Sequence, residues 1–209
     1  MNMNKTMNAQ NLKKVLALHH EWVERVPGGK QADLRQMKFV QANLVGVDFR
    51  EAICSDAVFR CADLRGAKFC NANLKFAVFA GANLEGTDFS GADLTFANFT
   101  GANLQDARFT GATLLKACFK DITLSWYDYT LISEILWQAA GEDFDKQMVA
   151  AFIGRKKAWC WDDYNQIPSQ YRLWIIKYFR NLVKPDDNAP PFFKVREQRL
   201  KAQQQRRVG

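Results

Sequence analysis

A five-residue pattern, repeated without interruption from residue 32 to residue 130, constrains the fold of this chain more than any other feature. Every fifth residue is a central apolar side chain, and leucine alternates with phenylalanine along the series, with Cys54 and Tyr129 as the exceptions. Alanine stands two residues before the centre in fifteen of the twenty units. A core of this regularity must recur along the chain with a period of five.

Neither regular secondary structure can bury such a series. A five-residue step rotates an α-helix by about 140° and spreads the centres around its whole surface. In a flat strand, an odd step sends successive centres to opposite faces. The chain must therefore bend once per unit so that each centre returns to a common axis, which predicts a solenoid whose turns bury their apolar sides against one another.

Units such as Ala-Asn-Leu-Glu-Gly at 82–86 and Ala-Asp-Leu-Thr-Phe at 92–96 resemble the pentapeptide-repeat family. The resemblance implies an all-β solenoid, a right-handed quadrilateral β-helix with about four units per coil and about five coils. With four sides, the alternation places leucine stacks on two opposite sides and phenylalanine stacks on the other two.

Helices are expected on both sides of the repeat. The chain then divides into four segments: a capping helix in 1–30, the β-helix in 31–130, a C-terminal helical bundle in 131–184, and a linker with a basic tail in 185–209. The apolar spacing predicts the capping helix over 11–26. In the bundle, we expect one helix from Ser133 to about Ala140 and a second that opens near Asp143.

The sequence contains no converging set of catalytic groups. Its two histidines, His19 and His20, are adjacent and point in different directions on a helix. It has no phosphate-binding glycine loop, zinc-ligand spacing or nucleophile elbow. The acidic doublets at 162–163 and 186–187 are expected to face water. We therefore expect a protein that is not an enzyme and that uses no cofactor or metal.

Composition favours a cytoplasmic location. No run of apolar residues is long enough for a membrane span, and no secretory signal is visible at the N-terminus. The five cysteines are an odd set without a C-x-x-C pair, which is typical of reduced thiols.

One side of the predicted rod is apolar on its outer surface. Phe76 and Phe96 occupy the same position in units twenty residues apart, so their rings should stack on adjacent coils about 5 Å apart. We expect this surface to be covered by the C-terminal helices, a second copy or another protein. The predicted partner-binding residues are Phe76, Phe96, Ile53, Leu115, Val58 and Val78.

The sequence thus favours a non-catalytic protein-binding scaffold. One alternative comes from the family resemblance, since some pentapeptide-repeat proteins mimic B-DNA and bind type II topoisomerases. That mimicry relies on a strongly acidic rod, whereas residues 31–130 contain ten basic and eleven acidic residues. The charge balance therefore argues against this alternative.

A second alternative is weak nucleic-acid binding through the basic tail. Six basic residues there are opposed by Glu197 alone: Lys194, Arg196, Arg199, Lys201, Arg206 and Arg207. Such a segment would neutralise several phosphates without reading sequence, and its binding would weaken as salt rises.

Deletion of residues 194–209 tests this alternative. If the tail binds nucleic acid, the truncated protein should lose its retention on a DNA or heparin column at low salt, while its melting temperature stays unchanged. Retention that survives the deletion, or an intact protein that is never retained, would contradict a nucleic-acid role for the tail.

Overall fold

A ladder of parallel β-bridges with a twenty-residue step forms the middle of the molecule. The structure is a computed structural model that describes residues 9–124, 129–154, 167–168, 171 and 174–175. The residue before each centre pairs with its equivalent on the next coil, as Asp33 does with Ile53, and the bridges form four columns. Helix α1 (Ala9–Val23) precedes the ladder, and α2 (Tyr129–Ala140) and α3 (Phe144–Gly154) follow it.

Each five-residue unit forms one side and one corner of a coil. In the unit of Leu74, the Leu74 N–H donates to the Asp93 carbonyl at 2.8 Å and the Phe76 N–H donates to Thr95 at 3.0 Å, which joins two coils. The Ala77 N–H then donates to the Leu74 carbonyl at 3.0 Å and closes the corner. Because these bonds recur in successive units, each residue lies over the residue twenty positions later. The predicted four-sided β-helix is confirmed.

The interior is filled by the centres. All nineteen from Leu34 to Leu124 are buried. Phe49 stacks on Phe69 with ring centroids 4.8 Å apart, and Phe59 stacks on Phe79 at 5.1 Å. The two phenylalanine stacks meet edge to face inside the rod, as Phe59 and Phe69 do at 5.6 Å and 77°. Phenylalanine therefore lies on two opposite sides, as the alternation predicts, and each buried ring contributes about 1.5–3 kcal/mol.

Asparagine and aspartate before the centre have a backbone role. Their side-chain oxygen accepts a hydrogen bond from the N–H two residues later, at 3.3 Å from Asn83 to Glu85 and 2.9 Å from Asp88 to Ser90. This local bond satisfies a donor at the corner. Where a unit has Asn or Asp before its centre, this side chain thus stabilises the bend that follows.

Helix α1 lies against the first coil. Leu12, Val15 and Leu16 pack on the core. The buried His19 accepts a hydrogen bond through Nδ1 from the Ala32 N–H at 3.1 Å, and its ring stacks on Trp22. Its Nε2 is also buried, with no hydrogen-bond partner among the described residues. Burial lowers the pKa of His19 below its ordinary value of 6.5, although Asp48 and Glu51 oppose this shift.

The end of the repeat differs from the prediction in two ways. The twentieth centre, Tyr129, begins α2 instead of closing another side, and the last centre described within the coils is Leu124. Ser133 does not cap this helix, because α2 begins four residues earlier and the Ser133 hydroxyl instead donates to the Ala150 carbonyl of α3 at 3.0 Å. The physical reason is tertiary: Leu131, Ile132, Ile135 and Leu136 are buried in the continuous core, and their spacing is that of one helix face.

The second helix of the bundle follows its sequence signals. α3 begins at Phe144, and the Asp143 carboxylate accepts a hydrogen bond from the Lys146 N–H at 3.1 Å, as an N-cap does. Farther on, the Tyr171 hydroxyl donates to Asp145 at 2.9 Å. Segment 156–164 and residues 185–209 lie outside the described part of the chain. None of the helices in the described part is long and apolar enough to cross a membrane.

Substitutions at buried and at outward positions of the rod test the assignment of inside and outside. Phe69→Asp or Leu84→Asp should prevent folding, because each places an unpaired charge among fully buried side chains. Asn83→Asp, which retains the acceptor for Glu85, should change the melting temperature little. Asn103→Asp should lower the melting temperature slightly. The Asn103 amide donates a hydrogen bond to Asn83 at 3.0 Å, and aspartate cannot make this bond. Equal thermal destabilisation by the core and surface variants would contradict the assignment.

A pH series tests the contact between α1 and the first coil. Since the folded-state pKa of His19 lies below its unfolded value, the unfolded chain binds the proton more readily, and stability should fall as the pH decreases below about 6.5. The melting temperature should therefore decrease between pH 7.5 and pH 5.5, a window in which few other side chains titrate. His19→Asn should remove this dependence, and His20→Asn, at an exposed position, should retain it. A parent protein with a flat profile would contradict the role of His19.

Candidate protein-contact surface

One corner of the rod carries a side chain on every coil. It lies between the side centred on Leu34 and the side centred on Phe39, and we call it the aromatic corner; its residues are Gln36, Asp56, Phe76, Phe96 and Lys116. In the described β-helix, each of the other three corners contains at least two glycines at the equivalent position, and this corner contains none.

The backbone at these positions disfavours large side chains. Each residue two after a centre in the described coils has a positive φ, between 54° and 71°. Phe76 and Phe96 have φ values of 60° and 61°. A non-glycine residue in this left-handed region costs about 1–2 kcal/mol, and for a bulky residue the conformation is unusual.

The two phenylalanine rings project outward and stack on each other. Their centroids are 5.0 Å apart and their planes differ by 4°, which confirms the expected stacking. Stacking offsets part of the backbone cost, at about 0.5–1.5 kcal/mol. Burial of the rings contributes only part of its possible stabilisation, because Phe76 is 50% exposed and Phe96 is 43% exposed. About half of each ring thus stays exposed among the described residues, so the helices α2 and α3 are not the cover that the sequence suggested.

The other predicted contact residues lie around this pair. Val58 and Val78 are half-buried and bridged to each other on the side that follows the corner. Ile53 is half-buried on the preceding side. Leu115 is exposed, and its carbonyl accepts a hydrogen bond from the Phe96 N–H at 2.9 Å. The six residues thus lie on the two sides that meet at the aromatic corner.

Sequence reasoning missed the charged ends of the corner. Lys116 places Nζ over the Phe96 ring, 5.2 Å from its centroid, as a cation–π contact. Asp56 occupies the equivalent position one coil before Phe76. The twenty-residue spacing that pointed to the phenylalanines would also have identified these two residues.

Polar groups flank the apolar pair. Lys75 forms an ion pair with Asp93 across adjacent coils, with Nζ 3.1 Å from Oδ2. Burial raises the pKa of Asp93, but hydrogen bonds from Thr95 and Lys75 outweigh it and hold the pKa below its usual value. An apolar centre beside polar groups is the composition of a protein–protein interface.

The described residues hold free thiols but no cluster of metal ligands. Among the described residues, no three His, Cys, Asp or Glu side chains come together as metal ligands. Four described cysteines are free, and burial raises the pKa of the Cys54 thiol far above its ordinary value, so it is not a nucleophile. The six basic residues of the tail, Lys194, Arg196, Arg199, Lys201, Arg206 and Arg207, lie outside the described residues.

Comparison with known proteins points to one family. The family described as pentapeptide repeats matches in eight copies over residues 30–60, 57–95 and 87–125. A search of curated protein sequences found no match.

Solved structures match about half of the chain. HetL, a pentapeptide repeat protein involved in heterocyst differentiation regulation in Nostoc, is 38% identical, with a TM-score of 0.42, over 44% of each chain. A pentapeptide repeat protein of the Arabidopsis thaliana thylakoid lumen is 33% identical over 51% of this chain and 77% of its own, with a TM-score of 0.39. QnrB1, a plasmid-mediated fluoroquinolone resistance protein, is 22% identical over 46% of this chain and 52% of its own, with a TM-score of 0.31. The chain thus spans less than half of HetL.

Proposed function

Since the chain belongs to the pentapeptide-repeat family, we propose that it is a non-catalytic scaffold that binds protein through the aromatic corner. The stacked, half-exposed pair of Phe76 and Phe96 carries this proposal. Glycine would remove the backbone cost at both positions, and a polar residue would face water more favourably. A binding partner would bury the exposed ring surface, which the described part of the fold does not do.

We propose that helices close both ends of the rod. The terminal coils of a β-helix would otherwise expose unpaired edges, where other chains could add. Three contacts support α1 as the first cap: the bond from Ala32 to His19, the bond from the Lys30 N–H to the Leu18 carbonyl at 2.8 Å, and the ion pair of Glu24 with Arg50 at 3.0 Å. At the other end, the buried residues of α2 continue the core. Capping would leave the sides of the rod as its binding surface.

Mimicry of DNA has less support as a function. Several acidic side chains of the rod are neutralised by a basic residue in the same unit, as in the pairs Asp48–Arg50 at 2.7 Å and Asp63–Arg65 at 2.7 Å. The hydrogen bonds from Arg65 lower the pKa of Asp63 and keep it ionised within its pair. A surface on which several acids are paired with bases lacks the continuous negative potential of a phosphate backbone.

Four free thiols in the described residues fit a reducing compartment, and we propose the cytoplasm. Nucleic-acid binding by the tail stays an alternative prediction, tested by the deletion described above.

A photo-crosslinking amino acid at position 76 tests the protein-binding function in cells. The expected result is a covalent adduct with a protein, because the ring at this position would contact the partner directly. The matched control is position 45, since Val45 is also apolar, is 48% exposed, and lies at the diagonally opposite corner. Adducts that are absent at position 76, or equally abundant at both positions, would contradict the proposal.

A further inference from the structure

After Gln36, the residues along the aromatic corner follow the order acid, ring, ring, base. Asp56, Phe76, Phe96 and Lys116 occupy four successive coils, and the two rings are 5.0 Å apart. With coils spaced about 4.8 Å apart, the midpoint between the rings is about 7 Å along the rod from the positions of both charged residues. These four positions therefore match the same four positions of a second chain that runs in the opposite direction, with acid against base and ring against ring.

We propose that the partner of the aromatic corner is a second copy of this chain, which packs side by side with its rod antiparallel. A two-fold axis would pass between the Phe76 and Phe96 levels, perpendicular to the rods. Phe76 then faces Phe96 of the second copy, and Asp56 faces Lys116 of the second copy, each contact occurring twice as in any two-fold interface. This inference rests on the proposed protein-binding function and names the partner.

The flanking columns are compatible with this register. On the side before the corner, Asn73 would lie opposite Asp93 of the second copy, and Ile53 opposite Thr113. On the side after it, Val58 would lie opposite Cys118 and Val78 opposite Asn98. None of these pairs places like charges together. These two columns therefore contain no like-charge pair about the axis that the corner defines.

A parallel arrangement of the two rods is disfavoured. There, each coil would face the same coil of the second copy, so that Asp56 faces Asp56 and Lys116 faces Lys116. Like charges facing one another in an interface are destabilising. Among the described residues, Asp56 forms no ion pair within its own chain, so its charge is available to the second copy.

The interface is small. A strip four coils long covers less than the ~800 Å² per partner that stable complexes bury. We therefore expect a reversible dimer that forms with micromolar affinity and weakens as salt rises.

Charge complementation between two variants tests this arrangement. Asp56→Lys gives each chain two lysines at the ends of the corner, and Lys116→Asp gives each chain two aspartates. Sedimentation equilibrium at low salt should show each variant dimerising at least about tenfold more weakly than the parent. An equimolar mixture should form a heterodimer of near-parent affinity, because every lysine then faces an aspartate. The double variant Asp56→Lys/Lys116→Asp should also regain the parent affinity.

A variant that lacks both outer rings serves as a control for the charge variants. Phe76→Asn/Phe96→Asn should abolish dimerisation without lowering the melting temperature, since asparagine tolerates the left-handed backbone better than phenylalanine. Both charged positions are exposed, and lysine and aspartate already occupy this corner, so the charge variants should melt as the parent does.

The outcomes separate this inference from the proposed function. A dimer that depends on the two rings, together with complementation in the mixture, supports the antiparallel pair. A monomeric parent, a dimer that survives the asparagine variant, or the lack of complementation would overturn it. A crosslink from position 76 to a different protein would also overturn the inference, yet it would support the scaffold function. The absence of any crosslink at position 76 would contradict both.

Discussion

Hydrogen bonds between successive coils are the constraint on which the rest of the structure depends. A single coil has few backbone partners of its own, so its N–H and C=O groups must pair with the coils above and below. That pairing sets residue i over residue i+20 along the described ladder. The phenylalanine stacks, the columns of bridges and the aromatic corner all follow from the same registration. At the two ends of the rod this pairing between coils stops, and the helices α1 and α2 lie against the terminal coils.

The corners show how the chain distributes conformational cost. A bend after every centre requires a positive φ, which glycine adopts freely and other residues adopt at a cost. Asparagine and aspartate before the centre reduce the cost of bending, because their side chains hydrogen-bond to the corner N–H. At Phe76 and Phe96 the cost is offset only in part by the ring stack. Positions of this kind are where a fold gives up stability for a surface feature.

Much of the rod could be predicted from its sequence, because a period of five leaves few alternatives. The solenoid, the opposite phenylalanine stacks and the pairing of Phe76 with Phe96 needed only the positions of side chains along the chain. The switch at Tyr129 could not be predicted in this way. Its unit continues the pattern well enough, and the choice of helix depends on burial of Leu131 and Ile132, a tertiary effect. The contact of Lys116 with Phe96 was also missed, because lysine side chains are flexible and their direction is set by neighbours.

The stack of Phe76 on Phe96 outside the rod requires a spacing of twenty residues, which packing of the core does not require. Leucine and phenylalanine centres alternate with a period of ten, so the interior repeats after half a coil. A deletion of two units between Phe76 and Phe96 would keep the phenylalanine columns aligned, and likewise the leucine columns, in which Cys54 replaces one leucine. It would nevertheless move one of the two outer rings to the diagonally opposite corner. The outer surface of such a rod can therefore change while the stacking of its interior stays the same. The alignment of the two outer rings is thus an independent property of this sequence.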